Sequence, residues 1–202
     1  GERIADLGLP EGDSMGHVAV KEAVLPFSRF PWADPVLGPE MRSTGEVMGI
    51  GATFTEAFAK AQRGAWQALP RAGTIFLSVR DEDKPRVGGL AADIHAAGLE
   101  IVATGGTAAA VAAAGIPVRE VNKISDGPPH VADLILGGEV AMVVCTPSGR
   151  GDRADGAIIR RAAVRAGVPC ITTIEAAEAA AQSLGVDPAV VAPVALQDLV
   201  PR

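Results

Sequence analysis

The chain has 202 residues, a formal net charge of −6 and a sequence pI near 5.1, so it has no general electrostatic footprint for nucleic acid, and any anion site must be local. Its composition is that of a soluble globular α/β protein with one complete domain and part of another. Cys145 and Cys170 fit neither a metal spacing nor a disulfide framework and point to a reducing, cytoplasmic setting, and no apolar run approaches the roughly 18 residues that a membrane span needs.

The first residues, GERIADLGLP, lack a basic segment followed by an apolar one and read as an arbitrary cut. HVAVKEAVLP predicts a strand. The next stretch, VLPFSRFPWADPVLGPEM, packs four prolines into a segment with neither helical nor strand period, which predicts a loop-rich border. EVMGIGA predicts a second strand, and TFTEAFAKAQRGAWQALP a helix opened by a capping box from Thr53 to Glu56. Two strands and a helix are too little to close a sheet, and Phe27, Phe30 and Trp32 expect a partner that this segment does not supply.

From Gly73 onward, short β-rich apolar runs alternate with alanine-rich stretches, the signature of βαβ units and a parallel sheet. Five strands are predicted, at 74–79, 99–103, 117–121, 140–145 and 169–173. Helices are predicted at about 83–97, 106–114, 129–137, 152–166 and 175–184, the first three closed by Gly98, Gly115 and Gly137 as left-handed caps. The expected fold is α/β, a doubly wound five-stranded parallel sheet over 71–202 preceded by a partial domain over 1–70. In such sheets ligands bind beyond the carboxyl ends of the strands, so the loops near Ser78, Thr104, Asn122, Thr146 and Thr173 share one rim.

On that rim, Thr104-Gly105-Gly106-Thr107 lies between a strand and a helix. Glycines there let the backbone bend tightly and approach a ligand, the helix start attracts an oxyanion, and the threonine hydroxyls either bind phosphate oxygens or cap the helix. A capped turn without a ligand accounts for a lone TGGT equally well. Lys84 and Lys123, from neighbouring loops, shift the balance: with Ser78 and Thr107 they form a site for a divalent phosphate. Thr146, Pro147 and Ser148 leave the same rim and are placed to meet a base or sugar. Arginines 150, 153, 160, 161 and 165 spread around their helix and read as a mostly solvated face. His130, beside Asp126 and Asp133, makes an acid–base pair near a phosphate conceivable, although Pro128 and Pro129 fit a structural helix start. His95 reads as a satisfied helical residue, and His17 precedes a strand.

Two groups of motifs carry a resemblance. VKEAVLPFSRFPWADPVLGPEMRSTGEVMGIGATFTEAFAKAQ, Val20 to Gln62, resembles the end of the second ATP-grasp half in the carbamoyl phosphate synthase large-chain family. LSVRDEDK, ATGGT, VNKISDGPPH, TPSGR and IIRRAA follow in the order of that family's allosteric domain, which has the methylglyoxal synthase-like fold. The resemblance implies a parent enzyme making carbamoyl phosphate from bicarbonate, ATP and glutamine-derived ammonia, with products used for arginine and pyrimidine synthesis. It implies ATP and Mg2+ or Mn2+ sites upstream of this chain, no cofactor or catalytic residue within it, and a glutamine amidotransferase small chain as partner. It further implies a UMP or IMP-like effector whose phosphate meets positions matching Lys84, Thr104, Thr107 and Lys123. Its base and ribose meet Cys145, Thr146 and Pro147, where the bacterial pattern has Asn-Thr-Thr. Glu22, Leu25 and Thr172 match positions of an ornithine site whose Tyr-Asp pair is replaced here by Cys170-Ile171. The alternatives are a stand-alone methylglyoxal synthase-like phosphate lyase and a homo-oligomeric assembly module; neither nucleic acid nor membrane is an expected partner.

Overall fold

A computed structural model describes residues 1–8, 16–30, 32–147, 153–187, 189–193 and 195–198. β1 (Val18–Val24) and β2 (Gly45–Gly51) form a two-stranded antiparallel sheet, with Val18 opposite Gly51 and Val24 opposite Gly45. The proline-rich link between them holds one short 3-10 turn at Phe27–Arg29. α1 (Phe54–Gly64) covers one side of the pair, burying Ala57, Phe58 and Ala61. Thr53 caps it, accepting from Glu56 N–H at 3.3 Å, while the Glu56 carboxylate reaches back to the Ala52 N–H at 2.9 Å rather than to that of Thr53. The capping motif is therefore present with its reciprocal bond displaced by one residue.

The larger sheet contains β3 (Thr74–Ser78), β4 (Glu100–Thr104), β5 (Arg119–Val121), β6 (Val140–Cys145) and β7 (Cys170–Ile171). All pairings are parallel and the order is β5-β4-β3-β6-β7. The chain enters at the centre, winds outward through β4 and β5, then crosses back to β6 beside β3 and continues to β7. α2 (Lys84–Ala96), α3 (Gly105–Ala113) and α6 (Ile174–Ser183) pack together, and α4 (Val131–Leu136) and α5 (Arg153–Ala166) form the second layer.

Side-chain alternation along β3 explains the two layers. Ile75 and Leu77 join Met142 and Val144 in the core shared with Val87, Leu90 and Ile94 of α2 and with Ile174 of α6. Phe76 faces the opposite way, with Val102 and Val143, against Val131 and Ile135 of α4 and Ile159 of α5. A strand buried on both faces must be apolar throughout, as Ile75-Phe76-Leu77 is. Among the described residues no helix is long and apolar enough to cross a membrane.

Two expectations need correction. The third helix is shorter than 129–137, running Val131–Leu136 with His130 as its N-cap, and the left-handed residue after it is Gly138 (φ 78°), not Gly137 (φ −76°). Gly137 still belongs to the last turn, donating to the Asp133 carbonyl, so the reversal comes one residue later. Gly98 and Gly115 have the expected positive φ, 81° and 76°.

Candidate functional site

β3 and β6 are neighbours whose following segments leave toward opposite layers, which opens a crevice at their carboxyl ends. The Thr146 N–H donates to the Ser78 carbonyl at 3.1 Å and ties the two strand ends together. A cavity occupies this crevice, and its lining contains Ser78, Lys84, Thr104, Gly106, Thr107 and Lys123. These six come from three segments, at and after the ends of β3, β4 and β5. Cys145, Thr146 and Pro147 line the same cavity from the end of β6. Gly105 does not line it; a side chain there would face the Glu120 carboxylate. Ser148 to Asp152, with Gly149, Arg150 and Gly151 among them, lie outside the described residues.

The local chemistry of the glycine turn differs from that expected. Gly105 and Gly106 are the first two residues of α3, in ordinary helical conformation, and Thr104 is the N-cap without a side-chain capping bond. Glycine at 106 leaves room for the lysine, because a Cβ there would lie 2.6 Å from the Lys84 Nζ and would push that flexible side chain aside. The lysine ammonium therefore sits directly above the first turn of α3, where backbone N–H groups lack intrahelical acceptors. The threonine hydroxyls are turned to the strand ends: Thr104 Oγ1 donates to Ser78 Oγ at 3.4 Å, and Thr107 Oγ1 accepts from the Val79 N–H at 3.1 Å. Both threonines are buried, so their polar atoms form a fixed floor.

Cations dominate the rim. Lys84 Nζ meets Asp81 Oδ1 at 2.6 Å, and hydrogen bonding to Lys84, with help from the charges of Lys84 and Lys123, holds the Asp81 carboxyl below its ordinary value. Asp81 is exposed, so it is a displaceable counter-ion for Lys84 rather than a buried partner. Arg80 is anchored to buried Asp83 by bonds of 3.0 and 3.4 Å, and its N–H donates to Thr146 Oγ1 at 2.9 Å. At the far end, Asp155 and Gly156 of α5 complete the lining with Arg160.

Arg160 corrects the reading of the α5 arginines as a solvated face. It is only 4% exposed, and its Nε and Nη2 donate to the two carboxylate oxygens of Asp34 at 2.7 and 2.6 Å, while Nη1 lies 3.7 Å from Cys145 Sγ. Burial works to raise the Asp34 carboxyl, but the Arg160 hydrogen bonds, one from the Val36 N–H and the nearby guanidinium charges carry it below the usual range. Burial raises the Cys145 thiol, with Arg160 opposing, and raises that of Cys170 further, so both are neutral at physiological pH. Arg160 sits in IIRRAA between Ile159 and Ala162, which the structure buries, a setting that the charged stretch by itself does not single out.

The remaining predicted residues are outside this cavity. Asp126 accepts from the Lys123 N–H and Asp133 from the His130 N–H, at 3.3 and 2.9 Å, so both carboxylates stabilise turns. Glu22 accepts from Gln62 Nε2 at 3.1 Å, and burial raises its carboxyl, with that bond opposing. Leu25 and Thr172 are half-buried. Among the described residues no group of three His, Cys, Asp or Glu side chains is placed to hold a metal ion.

A family model described as "MGS-like domain" matches residues 87–172. The carbamoyl phosphate synthase large chain of Pseudomonas putida is 51% identical over 188 residues, covering 93% of this chain and 18% of that protein. The protein of the same name from Ralstonia nicotianae is 50% identical over 185 residues, and that of Methanosarcina acetivorans 46% over 184; each match covers 91% of this chain and 17% of the relative. The chain thus spans less than a fifth of the length of the curated relatives it matches.

Proposed function

The chain carries an MGS-like domain and is homologous, over most of its length, to the C-terminal region of the carbamoyl phosphate synthase large chain; from this premise we propose that it is the nucleotide-sensing region of such an enzyme. The observation that supports this reading most directly is the meeting of Lys84, Lys123 and the start of α3 over one cavity, on a floor of buried hydroxyls. A phosphate dianion there exchanges the exposed Asp81 for its own oxygens on Lys84 and gains the helix-terminal N–H groups. Asp155 of α5 and Thr146 at the end of β6 line the same cavity and suit the diol and ring of a nucleoside.

In this reading the effector is a nucleoside monophosphate of the UMP or IMP kind, and 1–70 is the end of an ATP-grasp half joined to the sensing domain of 71–202. The parent makes carbamoyl phosphate in the cytoplasm from bicarbonate, ATP and ammonia released by a glutamine amidotransferase small chain, for arginine and pyrimidine synthesis. Its ATP and divalent metal sites lie in the ATP-grasp segments preceding this region, so this region regulates rather than catalyses. The nucleotide acts by favouring one arrangement of the sensing domain against the ATP-grasp part, a coupling typically worth about 1–3 kcal/mol. Calorimetric titration with UMP and with IMP tests this: one of them binds at a single saturable site, and Lys123→Ala abolishes the heat. Equally weak heats from both nucleotides on both proteins would refute the reading.

A further inference from the structure

The Arg160 guanidinium belongs to two structures at once. Its Nη1 edge walls the cavity: a Cβ on Gly156 would lie 2.8 Å from Nη1, and Cys145 Sγ is 3.7 Å away on the β6 side. Its other edge is taken by Asp34, which lies 126 residues earlier, in the proline-rich link between β1 and β2. Asp34 Oδ1 also accepts from the Val36 N–H at 3.1 Å, so the position of its carboxylate fixes the local turn of the link. The guanidinium is almost fully buried, and a charge in that setting acts strongly on whatever anion is near it. Asp34 is one third exposed, so water reaches the carboxylate that Arg160 holds.

We propose that Asp34 is a positioning residue that competes with the bound nucleotide for the charge of Arg160, so that occupation of the cavity loosens the 32–37 link and docking of the link weakens nucleotide binding. This rests on the nucleotide-sensing reading above and adds the route by which the cavity reaches the N-terminal segment. The two effects must be equal in free energy, because linkage between binding equilibria is reciprocal. A purely structural role for Asp34 predicts the opposite sign, since loosening the cavity wall would weaken binding.

The test is calorimetric titration of the 202-residue chain with UMP and with IMP, on wild type, Asp34→Asn and Asp34→Glu. The proposal expects Asp34→Asn to bind the nucleotide about fivefold more tightly and Asp34→Glu to return toward wild type. In the wild type, saturating nucleotide should speed hydrogen exchange at the Val36 amide, a readout that holds even if a variant fails to fold. Unchanged or weaker affinity in Asp34→Asn, or Val36 exchange that nucleotide leaves unmoved or slows, overturns the competition while leaving the cavity as a nucleotide site. Absence of nucleotide binding to the wild type overturns both readings together.

Discussion

Gly106 separates two explanations of the turn that holds it. A glycine kept for backbone freedom would have positive φ, whereas Gly106 is helical and its missing side chain makes room for the Lys84 ammonium. Gly106→Ala should therefore leave thermal stability nearly unchanged, because the displaced atom ends a flexible side chain and alanine is the better helix former. The same variant should weaken nucleotide monophosphate binding about tenfold by moving the lysine. Thermal melts and titration on one preparation check both outcomes. Asp81→Asn should act in the other direction: it removes the counter-ion that a phosphate must displace, and affinity should rise severalfold at low salt, fading as salt screens the site. Residues such as Lys84, Lys123, Thr104 and Thr107 were legible in the sequence because strand–loop alternation assigns each to one rim. Arg160 was not, since five arginines on one charged stretch do not reveal which meets a carboxylate 126 residues away.

At the scale of elements, β3 organises the sheet, lying between β4 and β6 with Ile75, Phe76 and Leu77 fully buried. Phe76→Ala should cost about 3–5 kcal/mol, measured as a lower urea midpoint with little change in slope. The β2–α1 unit is held differently, by backbone approach: a Cβ on Gly49 would lie 2.0 Å from the Ala57 carbonyl oxygen. No flexible atom can yield there, so Gly49→Ala should undock α1, and limited proteolysis should cut within 45–64 while the parallel-sheet region survives. The five parallel strands and their order of helices were legible from the switch between apolar runs and alanine-rich stretches. Edge strands were overestimated, 117–121 against Arg119–Val121 and 169–173 against Cys170–Ile171, because an edge strand has one neighbour to pair with and each predicted run opens on a proline, Pro117 or Pro169, that has no N–H to donate to the ladder. Gly137 and Gly138 both satisfy a helix-stop pattern, and only the last turn of α4 decides between them.

The whole molecule sets a net charge of −6 against a cationic crevice, so anion binding is a local property of four loops rather than of the chain. Its two parts are joined by the Asp34–Arg160 pair and by contact between α1 and α6. Because the Asp34 pKa is lower in the folded state than in the unfolded chain, the pair contributes stability that is complete above the ordinary aspartate pKa and is lost as pH falls through the depressed value. The difference in melting temperature between wild type and Asp34→Asn should accordingly be constant near neutrality and shrink below about pH 4. Large apolar side chains stand exposed in the first 66 residues, Trp66 at 83%, Trp32 at 71% and Met41 at 89% among them, more than a small unit of two strands and one helix buries by itself.

The claim on which this account turns is that a phosphate dianion is clasped at the start of α3 between Lys84 and Lys123. Amide chemical shifts measure it most directly, in paired titrations with UMP, uridine and inorganic phosphate. The Gly106 and Thr107 amides should shift saturably with UMP and with inorganic phosphate and stay fixed with uridine, and Lys84→Ala should erase the response. Fixed Gly106 and Thr107 signals in the presence of both phosphates, or a shift with uridine equal to that with UMP, would contradict it.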